Sequence, residues 1–126
     1  MKTEDYVSFE TAKLLKEKGF GDCATSFLGN GNMFPTCIVK RKEHYPAPTI
    51  QMAMKWIREQ GFCINVDIDV DYDEDERGTK WYHKPAWDWT VFRIDERKQM
   101  SDDGALYATY EQAAEVAIKW CLENLF

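Results

Sequence analysis

Phe62-Cys63-Ile64-Asn65-Val66-Asp67-Ile68-Asp69-Val70-Asp71 is the stretch that decides the fold class. Phe62, Ile64, Val66, Ile68 and Val70 alternate with Cys63, Asn65, Asp67, Asp69 and Asp71. Successive side chains of a strand point to opposite faces, so one set meets a core and the other meets water. The spacing predicts Ile64, Val66 and Ile68 buried and Asp67 and Asp69 exposed. A strand with one wet face belongs to an antiparallel sheet whose other face is covered by helices. A second run, Trp87 to Ile94, sets Trp87, Trp89 and Val91 on one face and Asp88, Thr90, Phe92 and Ile94 on the other. Both faces turn apolar near its end, which predicts a central or bulged position there.

Three helices surround these strands. Ser8 caps the first, Phe9, Ala12, Leu14 and Leu15 are its apolar members, and Gly19 stops it. Thr49 caps the second after Pro46 and Pro48, Ile50, Ala53, Met54 and Ile57 form its stripe, and Gly61 ends it. Thr109 caps the third, and Gln112 completes a capping box. Its stripe runs through Tyr110, Ala113, Ala114, Ala117, Ile118, Cys121, Leu122 and Leu125. Asn30-Gly31 is a type I′ hairpin signal between Ala24–Leu28 and Met33–Val39, with Pro35 holding the second strand to an edge. The expectation is a single α+β domain over residues 1–126: an antiparallel sheet of two to four strands with three helices packed on one face.

Charge is localised. The chain carries 16 Lys and Arg against 22 Asp and Glu, a net charge of −6. Seven of those acids stand between Asp67 and Arg77 with one base, so the rest of the chain is balanced. A whole-domain basic footprint is absent, and no nucleic-acid partner is expected. The longest apolar run is the four residues Ala105 to Ala108, far short of a membrane span. No export signal precedes the first helix, which implies the cytoplasm. Cys23, Cys37, Cys63 and Cys121 form no C-x-x-C pair and read as free, mostly buried thiols.

Three segments together are similar to one family: Tyr6-Val-Ser-Phe-Glu-Thr-Ala-Lys-Leu-Leu-Lys-Glu-Lys-Gly-Phe20, Ala47-Pro-Thr-Ile-Gln-Met-Ala-Met-Lys-Trp-Ile-Arg-Glu59 and Tyr110-Glu-Gln-Ala-Ala-Glu. They resemble small uncharacterised proteins carried by Bacteroides-type gut bacteria and their prophages. The resemblance implies a phage or mobile-element setting and supplies no catalytic residue.

The chemistry-bearing residues cluster between the two long strands. An EF-hand loop needs Gly at its sixth position and Glu at its twelfth, and every register of the acidic run fails. Carboxylates two apart on a strand lie about 7 Å apart along one face. Asp69 and Asp71 are the nearest candidates for a divalent ion, and no metal or other cofactor is expected. The segment from about Tyr72 to Ala86 reads as a long loop, acidic at its start and aromatic and basic at its end. Two halves of opposite character can fold back on each other or face a partner. Trp81, Tyr82 and His83, with Asp73 and Asp75, are the candidate binding residues, because exposed aromatics contribute most to binding. His44 and His83 have no neighbouring nucleophile motif.

The sequence therefore points to a small cytoplasmic, non-enzymatic accessory or interaction protein of phage or mobile-element origin. Its partner is an unidentified protein, and a homodimer is left open. The alternative is a metal-dependent hydrolase or nuclease using the Asp67–Asp75 carboxylates.

Overall fold

A computed structural model describes residues 5–39, 41–69, 72–82, 85–96, 98–101 and 104–126, without the side chains of Tyr72, Tyr82 and Lys98. Helix α1 (Phe9–Glu17) starts where the Ser8 side chain accepts the Thr11 N–H. Strands β1 (Thr25–Leu28) and β2 (Met33–Pro35) form the hairpin that Asn30-Gly31 announces. Its turn differs from type I′. Leu28 N–H donates to Asn32 O and Gly31 N–H to Leu28 O, Gly31 has positive φ (83°), and Asn30 Oδ1 accepts the Asn32 N–H. A three-residue loop with one left-handed glycine answers the same sequence signal as a two-residue turn.

The second hairpin strand ends at Pro35 instead of reaching Val39, and Thr36–Val39 coils into α2. Strand β3 (His44–Pro46) pairs with the other side of β1, so the order is β2-β1-β3 and Pro35 sits on an edge strand as expected. Helix α3 (Ile50–Glu59) is capped by Thr49, whose hydroxyl accepts the Met52 N–H. Strand β4 (Phe62–Asp69) then pairs antiparallel with β7 (Ala86–Arg93), and β8 (Lys98–Ser101) pairs with the last residues of β7. The β7–β8 register shifts between Val91 and Phe92, so β7 is both central and irregular at its end. Between β4 and β7, β5 (Tyr72–Glu74) and β6 (Lys80–Tyr82) make a two-stranded ribbon. Helix α4 (Tyr110–Asn124) closes the order; Thr109 Oγ1 accepts the Gln112 N–H, and Gln112 Oε1 accepts from Ala108.

The α+β class holds, with antiparallel pairing throughout the described strands. The strands are more numerous than the sequence suggested, and they divide among two three-stranded sheets and the ribbon. The core joins α1, α3 and α4 to one face of β4 and β7. Leu15, Ile57, Ile118, Leu122, Trp89 and Val91 are among its fully buried side chains. Phe126 stacks on Trp56 at 5.3 Å and meets Phe62 edge-on, sealing the start of β4. Only Cys121 among the four free cysteines is buried, because it alone lies on a helical core stripe; Cys37 is exposed on α2.

Candidate functional site

The β4–β7 hairpin outruns the core that supports it. On its helix-facing side Ile64 lies opposite Val91, Val66 opposite Trp89 and Ile68 opposite Trp87. Burial falls along that row: Ile64 is buried, Val66 is half-buried, and Ile68 is 51% exposed. The expectation that Ile68 is buried is therefore wrong. Periodicity assigns a side chain to a face, but what packs there decides burial: Tyr110 of α4 meets Trp87 edge-on at 5.6 Å, while Ile68, opposite Trp87, stays exposed. Asp67 and Asp69 are exposed as expected. Val70 and Asp71 lie outside the described residues.

The other face of the sheet carries Cys63, Asn65, Asp67 and Asp69 on β4 opposite Phe92, Thr90, Asp88 and Ala86 on β7. Two depressions lie along it. The first, about 380 Å³, is lined by Cys63, Asn65, Phe92, Arg93 and Ile94. The second, about 350 Å³, lies where Asp69, Asp88 and Thr90 meet Gly104, Ala105 and Leu106. Directly opposed residues of an antiparallel pair bring their Cβ atoms to about 5 Å, so Asp67 and Asp88 add repulsion to the hairpin.

The segment between β4 and β7 does fold back on itself. Asp73 pairs with Trp81 and Glu74 with Lys80, which sets acidic residues against the aromatic and basic ones. The long loop expected from about Tyr72 to Ala86 is, over its described residues, a short antiparallel ribbon. Asp75 makes the turn: its Oδ1 accepts the Arg77 N–H at 2.9 Å and the Thr79 N–H at 2.8 Å, and Gly78 has φ 83°. An Asx-type turn of this kind commits one carboxylate oxygen to backbone, so Asp75 shapes the ribbon. Trp81 is 55% exposed, and Asp73 is exposed beside it. The side chain of Tyr82 and the whole of His83 lie outside the described residues.

The acidic run is thus spread over several settings. Asp67 and Asp69 stand on the open sheet face, Asp73 on the ribbon, and Asp75 in its turn. Among the described residues no three His, Cys, Asp or Glu side chains stand close enough to share a metal ion.

Two polar constellations escaped the sequence. Glu115 of α4 accepts the Ser8 N–H at 2.9 Å and the hydroxyl of buried Thr11, so a carboxylate from α4 caps α1. His44, on β3, bridges two chain segments. Its Nδ1 lies 2.8 Å from Lys42 O and its Nε2 lies 2.9 Å from Asp22 Oδ1. The signal for the first was faint, a Thr on an apolar stripe. For the second there was none.

No family model, curated protein or solved structure matches the chain. Among the described residues no helix is long and apolar enough to cross a membrane.

Proposed function

We propose that the protein is a non-enzymatic accessory or interaction protein, and that the outer half of the β4–β7 hairpin with its β5–β6 ribbon is the surface that docks a basic protein partner. The observation that carries this reading is the exposure of Ile68 and Trp81, 51% and 55%, on an extension that also bears most of the acid excess. Exposed large apolar side chains amid like charges give a partner both an anchor and a field. Acidic carboxylates attract a basic partner over a Debye length of about 8 Å at physiological salt and repel nucleic-acid phosphates. Two copies of the arm also repel each other, which disfavours an arm-to-arm homodimer. The cytoplasm suits a chain whose four cysteines are free thiols. A phage or mobile-element setting rests on the three segments that resemble prophage proteins.

A photo-crosslinking residue placed at Trp81, or at Ile38 on α2 as a control, tests this reading. The expected result is a cross-link from Trp81 alone to a basic protein. When purified, that protein should bind less tightly as salt rises and less tightly to a chain carrying Asp67→Asn and Asp69→Asn. Equal cross-linking from both positions, or salt-independent binding, would overturn it. Calorimetric titration with Mg²⁺, Mn²⁺ and Ca²⁺ checks the hydrolase alternative: micromolar binding (about −8 kcal/mol) lost in the same double variant would favour a metal enzyme instead.

A further inference from the structure

The geometry around His44 points to a device away from the arm. The imidazole is held between two acceptors, the Lys42 carbonyl at 2.8 Å and the Asp22 carboxylate at 2.9 Å. A neutral imidazole has one N–H and one lone pair, and only the imidazolium has two donors. Both partners accept only, so the full arrangement requires the charged ring. His44 is 13% exposed at its side chain, whereas Asp22 is 61% exposed and free to turn toward water.

We propose that His44 is a proton-controlled clasp that holds the connector between α1 and β1 against β3 when charged and releases it when the ring loses its proton. The proton leaves to water. The neutral ring has one N–H for two acceptors; held on Nδ1 by the local Lys42 carbonyl, it leaves a bare Nε2 facing the Asp22 carboxylate, lone pair to negative charge. The opening is local. Phe20 stays packed on Trp56 at 5.6 Å, and Cys23 O still accepts the Thr36 hydroxyl. Gly21 and Asp22, between these anchors, are the residues that move.

The two hydrogen-bond partners favour the imidazolium. The Lys42 carbonyl contributes most to raising the pKa above 6.5, desolvation opposes it, and the hydrogen bond and charge of Asp22 raise it further. Lys16 of α1 opposes by its charge while its Nζ donates to His44 O at 2.7 Å. Glu43 is the acid next in the chain and accepts from Tyr45; β1 faces His44 with uncharged Leu28. With the folded value raised, the clasp stabilises fully below the unfolded value near 6.5 and is lost as pH rises through the folded value.

The test is an NMR titration of the full chain carrying His83→Gln, which leaves one imidazole to observe, from about pH 5.5 to about pH 8.5. The expected result is a His44 midpoint above 6.5, with both ring nitrogens protonated at the acid end. The Gly21 and Asp22 amides should shift with the same midpoint. Asp22→Ala should lower the midpoint. Asp22→Asn should uncouple the Gly21 amide from the ring, since an amide can donate to the neutral Nε2 as well as accept from the charged one. A midpoint at or below 6.5, Gly21 and Asp22 amides that ignore it, or a midpoint unchanged by Asp22→Ala would each overturn the clasp.

Discussion

Glu115 ties α4 to the first turn of α1. It accepts from the backbone of Ser8 and from Thr11, whose hydroxyl is buried and 104 residues away in sequence. Removing the carboxylate takes the acceptor from an N-terminal N–H and from a buried hydroxyl, which keeps only the bond it accepts from Ser8 Oγ at 3.1 Å. Glu115→Ala should therefore cost on the order of 1–3 kcal/mol in urea melts, more than an ordinary wet-side glutamate. Cys121 offers a second check. Burial pushes its thiol up to about 12, which leaves almost no thiolate at neutral pH. An aromatic disulfide reagent should label exposed Cys37 in the native chain and reach Cys121 only after unfolding. At this scale the sequence said least. The caps at Ser8, Thr49 and Thr109 were legible because donor and acceptor lie three residues apart. Glu115 with Thr11, and Asp22 with His44, join distant segments, and no local pattern brings them together.

The elements read best where they are long. Strand β4 and helix α4 each show their period several times over, and spacing alone locates both over the described residues. Strands β2 and β3 and helix α2 have three, three and four residues, too few to display any period. The same limit hid the ribbon inside an expected loop, although the opposed character of its halves was visible in the sequence. Burial along β4 required the helices as well as the strand. Ile64 and Ile68 share a face, a chemistry and a strand, yet their surroundings differ. Ile64→Ala should cost on the order of 2–4 kcal/mol through the cavity it leaves, and Ile68→Ala less than about 1 kcal/mol. Equal losses at both sites would mean that the helical layer reaches the end of the hairpin. Asp67→Asn should stabilise slightly, by about 0.2–1 kcal/mol, by relieving repulsion across the pair with Asp88.

The whole molecule divides its work between a packed body and an extension. The body buries the stripes of α1, α3 and α4 against the first half of β4 and the matching part of β7. The extension concentrates the charge and carries exposed apolar side chains that contribute little to the core. Replacing residues 70–84 by Asn-Gly separates the extension from the body. Thermal unfolding of the shortened chain should occur within about 4 °C of the intact protein, the shift that about 1 kcal/mol produces in a domain of this size. The purified partner found through Trp81 should no longer bind. A melting point lower by roughly 10 °C or more would place the extension within the cooperative fold, and undiminished binding would place the docking surface elsewhere.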